Sequence, residues 1–211
     1  TIAPNGSEKI GGIAADAILS TEGQTATFVY VDGTEGWINT QETSNSVTGN
    51  PNLVATGGTI TTCGNDKIHT FTGPGTFTVS QVSGCAANNL VSYLVVAGGG
   101  GGGDTTAPAP GGGGGGGGAG GFREVVSPSS PYTGSPLDGY PSSPNRITVT
   151  ATAFPIVVGA GGNGATPSTS GGVSTFSTIT SAGGGAGGET GTTPGSNTNG
   201  QNGGSGGGAP A

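Results

Sequence analysis

Alternating hydrophobic and polar residues mark short β-strands at the start of the chain, each bounded by turn-forming residues. Residues 25–31 (Thr-Ala-Thr-Phe-Val-Tyr-Val) follow the two-residue period of a strand. Asp32-Gly33 follows as a tight turn, and Gly36-Trp37-Ile38 opens the next strand. The one segment with helical character, residues 13–20, is too short to predict a helix. The pattern therefore predicts a small β module over residues 1–48.

A second group of strands is predicted over residues 49–97, as an antiparallel β part resembling a sandwich or half-barrel. The apolar run at residues 92–97 (Ser-Tyr-Leu-Val-Val-Ala) predicts a strand buried on both faces. Gly73-Pro74-Gly75 predicts a turn between two paired strands. The predicted strands are residues 58–62, 67–72, 75–82 and 90–97.

From residue 98 onward, runs of glycine alternate with short β segments and loops. Residues 98–211 hold 37 of the 50 glycines of the chain. A flexible linker is the usual interpretation of such runs. Here the runs directly follow apolar segments at residues 94–96 and 156–158, and they recur with similar length. This regular anchoring favours ordered rods joined by loops.

Polyproline-II helices are the predicted conformation of these runs. Such a helix has three residues per turn and no internal hydrogen bonds, so its backbone groups are available to neighbouring helices. Without a Cβ, glycine rods can approach closely enough to bond backbone to backbone, which offsets the high entropy cost of ordering glycine. The expected fold is all-β with polyproline-II-like rods, and residues 98–211 form a polyglycine bundle that carries loops.

Composition and charge exclude several classes of function. Only 7% of the 211 residues are charged and the net charge is −7, so the four basic residues cannot neutralise a row of phosphates. No nucleic-acid partner is expected. No apolar run approaches the roughly 20 residues of a membrane-spanning helix. Because the sequence contains no Met, we expect Thr1 to be internal to a longer chain or to follow a processing step.

The chemistry-bearing residues do not form a catalytic or metal-binding pattern. No Ser-His-Asp order or phosphate loop is present, and His69 is the single histidine, so we predict no enzyme, no cofactor and no metal site. Cys63 and Cys85 either form a disulfide or remain two unpaired thiols on neighbouring strands. Trp37, the single tryptophan, is expected to be a packing anchor.

The loops between rods are the places where contacts with a partner are expected. The longest, residues 127–145, carries Tyr132, Asp138 and Tyr140 among prolines and serines. Tyrosine gives a large contact area at a low entropy cost, and proline stiffens the loop. These three residues are the candidate receptor contacts, and the alternative is a solvated turn that only connects two elements. Residues 104–110 form a weaker candidate loop.

Several sequence segments together resemble a known family. They are residues 67–71 with 75–79, then Tyr-Leu-Val-Val-Ala-Gly-Gly-Gly (93–100), Gly-Ala-Gly-Gly-Phe-Arg (118–123), and Pro-Ile-Val-Val-Gly-Ala-Gly-Gly (155–162). This order resembles the glycine-rich domain of tailed-phage tail-fibre and adhesin proteins. The resemblance implies a homotrimer in which residues 1–48 serve trimerisation or attachment. It also implies a virion location, or otherwise an extracellular one.

The resemblance further implies a structural protein that attaches to a host surface through multivalent, non-covalent contacts. The implied partners are other copies of the chain, other tail proteins, and a host-surface polysaccharide or outer-membrane protein. Two alternatives stay open on the sequence: a self-assembling extracellular filament or matrix protein, and an ice-binding or cell-surface protein with a flat polyglycine slab.

Overall fold

The computed structural model describes residues 1–18, 25–42, 53–64, 66–84, 86–104, 112–128, 130, 132–164, 166–190 and 198–211. Its regular elements are strands, with two short 3-10 segments at Ala86–Asn89 and Ser143–Asn145, so the all-β prediction is confirmed. The strands are β1 (Ala26–Asp32), β2 (Gly36–Glu42), β3 (Val54–Thr56), β4 (Thr59–Cys63), β5 (Asp66–Thr70), β6 (Gly75–Gln81), β7 (Leu90–Val91), β8 (Tyr93–Val96), β9 (Phe122–Val125), β10 (Ile147–Thr148), β11 (Ala153–Val157), β12 (Ser174–Phe176) and β13 (Ile179–Ser181).

The chain divides into two compact units. Unit 1 comprises Thr1–Ala55, Val79–Leu90 and Val149–Ala151, and unit 2 comprises Thr56–Thr78, Val91–Thr148 and Thr152–Ala211. Each unit therefore contains segments that are distant in sequence.

Unit 1 is built around the antiparallel hairpin of β1 and β2. The turn is held by the Asp32 carboxylate, which accepts hydrogen bonds from the amides of Thr34 and Glu35, both at 2.8 Å. These two bonds, and to a lesser degree the charge of Lys9, lower the pKa of the Asp32 carboxyl below its ordinary value. The predicted Asp32-Gly33 turn therefore has a specific polar cause.

An N-terminal segment packs beside β2 in the same unit. The Trp37 amide donates to the Lys9 carbonyl oxygen at 2.8 Å, and the indole Nε1 of Trp37 donates to Glu8 Oε2 at 2.9 Å. At Gly36, which has φ 71°, a Cβ would lie 2.0 Å from the Lys9 oxygen. This position requires glycine, because the segment approaches the strand backbone too closely for any side chain.

The main sheet has the strand order β13-β12-β11-β6-β3. In unit 2, β12 pairs antiparallel with both β11 and β13, and β11 pairs antiparallel with β6. β8 and β9 form a separate antiparallel hairpin, and so do β4 and β5. Within the described part of the chain these small sheets do not close into a barrel.

An aromatic cluster joins the β8–β9 hairpin to the main sheet in unit 2. Phe176 lies at its centre, with ring centroids 5.9 Å from Tyr93, 6.1 Å from Phe77 and 6.1 Å from Phe154. The Tyr93 hydroxyl donates to the Asn145 carbonyl oxygen at 2.7 Å, and burial raises the pKa of this tyrosine. Edge-to-face rings of this kind stabilise a core that is otherwise poor in large apolar residues.

Two details of the strand prediction were wrong. β5 and β6, on either side of the predicted turn at Gly73-Pro74-Gly75, lie in different sheets and do not pair with each other. The strand at residues 92–97 is buried on one face only, because Tyr93 and Val95 point inward while Leu94 and Val96 are 58% and 51% exposed. An apolar run alone does not say whether a second layer covers both faces.

Candidate functional site

Six glycine-rich segments of unit 2 form a bundle, and we number these rods in chain order. They are rod 1 (residues 98–103), rod 2 (112–121), rod 3 (159–164), rod 4 (168–172), rod 5 (182–188) and rod 6 (205–211). Most of the hydrogen bonds that join the rods run from a backbone amide of one rod to a backbone carbonyl oxygen of another.

The bonds between rods recur every three residues. Rods 1 and 2 run antiparallel, and their bonds step by three along both rods: Ala97 N to Gly121 O at 3.0 Å, Gly100 N to Gly118 O at 2.8 Å, and Gly103 N to Gly115 O at 2.8 Å. Three residues make one turn of a polyproline-II helix. The rods therefore have the periodicity expected of packed polyglycine helices.

Rod 5 is the central rod of the bundle. Its residues 184–188 are buried, and Ala186 is 1% exposed. It bonds to rods 1, 2, 4 and 6 through Gly184 N to Gly98 O, Gly118 N to Gly185 O, Gly171 N to Gly184 O, and Gly188 N to Gly208 O, all between 2.8 and 2.9 Å. Backbone bonding to four neighbours replaces the apolar contacts of an ordinary core.

The packing around rod 5 admits no side chain at most positions. A Cβ added at Gly184, Gly185 or Gly187 would lie 1.9–2.0 Å from a carbonyl oxygen of a neighbouring segment. Such distances are well inside van der Waals contact, so these glycines are required by the close approach of the rods.

The strands of unit 2 continue directly into the rods, which fixes where each rod begins. β8 leads into rod 1, rod 2 leads into β9, β11 leads into rod 3, and β13 leads into rod 5. At this junction the Ser181 hydroxyl, 1% exposed, donates to the Val95 carbonyl oxygen at 2.8 Å.

The loop at residues 127–145 lies at the strand end of the bundle, against the β8–β9 hairpin. Asp138 is half-buried, and its Oδ1 accepts hydrogen bonds from the amides of Val126 and Tyr140, both at 3.0 Å. The Gly139 amide donates to the Glu124 carbonyl oxygen at 2.9 Å. The candidate contact Asp138 therefore holds the loop onto β9.

The two candidate tyrosines differ in their surroundings. Tyr140 is half-buried, and the Arg146 guanidinium lies 4.2 Å from its ring centroid while Arg146 Nε donates to the Tyr140 carbonyl oxygen at 2.8 Å. Tyr132 is 48% exposed, and partial burial, followed by the nearby Glu124 carboxylate, raises the pKa of its hydroxyl. Of the three candidate contacts, Tyr132 offers the most surface to a partner.

Some candidates lie outside the described residues. Residues 105–110 of the weaker loop candidate and Cys85 belong to that group. Cys63 is exposed at the end of β4 and has no disulfide to a described residue, so its pairing with Cys85 stays a prediction.

His69 Nδ1 lies 2.8 Å from the Gly57 carbonyl oxygen, to which it donates.

The described residues contain no group of three or more His, Cys, Asp or Glu side chains that could hold a metal ion. Among the helical segments that the structure describes, none has the length and apolar character needed to cross a membrane.

Two features of the site had no signal in the sequence. Glu189, at the end of rod 5, is 2% exposed, and one of its carboxylate oxygens accepts a hydrogen bond from the Ser168 amide. Ser92 accepts from the Ser127 amide at 2.9 Å and so fastens the start of the long loop. An acidic residue after a glycine run and a serine before a strand both look like ordinary surface residues.

Comparison with known proteins adds a family-level match. A family model described as a glycine-rich domain matches residues 70–211, which include every rod. Comparisons with curated proteins and with solved structures found no match.

Proposed function

Because the chain belongs to the glycine-rich domain family, we propose that its bundle is a rigid scaffold that serves attachment, as a phage tail-fibre or spike protein. In this role, exposed loops of the protein bind the host surface through multivalent, non-covalent contacts. The observation that carries the proposal is the backbone-bonded bundle around rod 5, which holds loops in place with few side chains.

The organisation of the loop at residues 127–145 supports the proposal. Asp138 and Ser92 accept hydrogen bonds from backbone amides at the start of the loop, and Arg146 donates one to a carbonyl oxygen within it. Tyr132 and Leu137 stay 48% and 71% exposed. A loop that is ordered before it binds loses little entropy on binding. Exposed aromatic and aliphatic side chains on such a loop are suitable for contact with a sugar or protein surface.

Multivalency explains how modest loop contacts would give firm attachment. Several copies on one particle convert later contacts into intramolecular events, so the overall avidity can exceed a single affinity by about 10² to 10⁴. A homotrimer, with host polysaccharide or an outer-membrane protein as partner, fits this mode of action.

Electron microscopy with a labelled antibody against the chain tests the proposal. We expect label at the ends of the tail fibres of a phage particle that encodes the chain, and binding of the purified protein to the host cells of that phage. Tyr132→Ala should weaken the cell binding, whereas Ile60→Ala, on β4 and outside both the loop and residues 1–48, changes a side chain of similar exposure (46%) and is the control.

Open-ended filaments of the purified protein, without label on virions, would instead support a self-assembling extracellular filament or matrix protein.

A further inference from the structure

Rods 1, 2 and 3 lie side by side, and the described residues cover this layer on one side only. Rod 1 bonds to rod 2 as described, and the Gly162 amide of rod 3 donates to the Gly99 carbonyl oxygen at 2.8 Å. Rod 4 and rod 5 both bond to rod 1 at Gly98, through Gly172 O and Gly184 N. The covered side of this layer is therefore the side of rods 4 and 5.

On the opposite side of the layer, glycine positions have room for a Cβ atom, which positions on the covered side lack. A Cβ added at Gly99, Gly102 or Gly161 would be 3.6, 3.7 and 3.9 Å from its nearest atom, and at Gly116 it would meet nothing within 4 Å. At Gly100, next to Gly99, the same Cβ would be 2.1 Å from a carbonyl oxygen. We call the set Gly99, Gly102, Gly116 and Gly161 the open face.

The open face also carries backbone donors that the bundle leaves unused. Among the bonds between described residues, none starts from the amide of Gly99 or Gly102. The amides of Gly100 and Gly103 in the same rod each donate to rod 2. The unused amides of rod 1 are three residues apart, or about 9.3 Å along a polyproline-II helix.

An exposed apolar strip extends the open face onto the strands. Leu94 and Val96 of β8 are 58% and 51% exposed, and Val96 pairs with Phe122 of β9, which is half-exposed. The other face of the hairpin carries Tyr93, which packs on Phe176 of β12. The apolar strip and the open face therefore lie on the same, uncovered side.

We propose that a second copy of this chain docks on the open face, with its own open face as the partner surface. Free amides need acceptors, and the carbonyl oxygens of Gly100 and Gly103 accept no backbone hydrogen bond among the described residues. A second copy therefore offers acceptors for the amides of the first, and the reverse. A partner with side chains at those positions would be held away from the amides by its Cβ atoms. The chain itself supplies a surface without side chains, and rods 1 and 2 already show that antiparallel polyglycine helices bond in this way.

The contact is isologous, because each copy offers the same face to the other. It therefore joins two chains about a twofold axis. In a homotrimer, the same contact joins one trimer to another. The strip of Leu94 and Val96 adds apolar burial. Glu124, opposite Leu94 in β9, lies beside the strip, and its Oε2 accepts a hydrogen bond from the Ser135 amide at 2.9 Å. The inference does not depend on attachment to a host.

Analytical ultracentrifugation of the purified chain, up to about 1 mM because small interfaces are weak, tests the pairing. We expect the mass to rise with concentration towards twice its low-concentration value. Gly102→Glu combined with Gly116→Glu places a carboxylate at positions with room for it, so the fold should persist. Like charges would then meet across the contact, and the dissociation constant should rise at least about tenfold.

Gly206→Glu is the matched control. Gly206 lies on rod 6, outside the open face, and a Cβ there has 3.8 Å of room. This variant should pair as the parent does, and circular dichroism should show the same thermal transition for all three proteins. A mass that stays constant with concentration, or pairing that the double variant leaves unchanged, would overturn the proposal.

Discussion

Two adjacent glycines of rod 2 allow a sharp test of the packing. At Gly117 an added Cβ would lie 2.1 Å from the Gly100 carbonyl oxygen, whereas at Gly116 it would meet nothing within 4 Å. Both residues are exposed in the middle of the same glycine run. Gly117→Ala and Gly116→Ala are therefore chemically identical changes with the same effect on the unfolded chain.

The expected effects have opposite signs. An ordinary contact starts near 3.4 Å, so Gly117→Ala must separate rods 1 and 2 locally by about 1.3 Å. That displacement takes the bond from Gly100 N to Gly118 O, now 2.8 Å, out of range. Losing this bond and straining its neighbours should cost about 2–4 kcal/mol. Gly116→Ala should stabilise the fold by about 0.4–1 kcal/mol, since alanine restricts the unfolded chain.

Urea denaturation followed by circular dichroism measures both changes in the free energy of unfolding. Amide hydrogen exchange adds a local measurement, because Gly100 should lose protection in Gly117→Ala and keep it in Gly116→Ala. Equal stabilities for the two variants would refute the reasoning, because a Cβ meets a backbone oxygen at Gly117 and open space at Gly116.

Three further predictions concern the core, the rod junction and the β1–β2 turn. Phe176→Ala should destabilise unit 2 by about 3–5 kcal/mol in guanidinium denaturation, and a loss below 1 kcal/mol would contradict its central position. Ser181→Ala should cost about 0.5–1.5 kcal/mol, because the hydrogen bond from its buried hydroxyl to the Val95 carbonyl oxygen is lost. Ser181→Thr serves as the hydroxyl-retaining comparison. The lowered pKa of Asp32 predicts that its contribution to the turn is present above about pH 4 and disappears as pH falls through that lowered pKa; amide NMR shifts of β1 should report this transition, and Asp32→Ala should lack it.

Local features of the fold could be predicted from the sequence, and non-local ones could not. The β1–β2 hairpin followed from alternation and the Asp32-Gly33 turn, which are short-range signals. The pairing of β6 with β11 joins residues more than 70 positions apart, and nothing in either strand identifies its partner. The expected pairing of the strands beside Gly73-Pro74-Gly75 failed for that reason.

Within the rods, the sequence does not show which glycines have room for a side chain. The recurrence of glycine runs after apolar strands was enough to predict packed rods. Gly116 and Gly117 are identical in sequence, yet one faces open space and the other a backbone oxygen. Likewise, Asp138 was selected as an exposed polar loop residue, and its hydrogen bonds to Val126 and Tyr140 depend on a fold that brings the loop onto β9.

The three-residue step between rods restricts how the length of a glycine run can change. Ala119 occupies the same row of rod 2 as Gly116, three residues away, where a methyl group has room. Removing one glycine before it would turn the remaining chain by about 120°. The methyl group would then enter the row of Gly118, where a Cβ lies 2.0 Å from the Ser205 oxygen. Insertions and deletions in these runs should therefore be tolerated in whole turns of three residues, so related chains should differ in rod length by multiples of three.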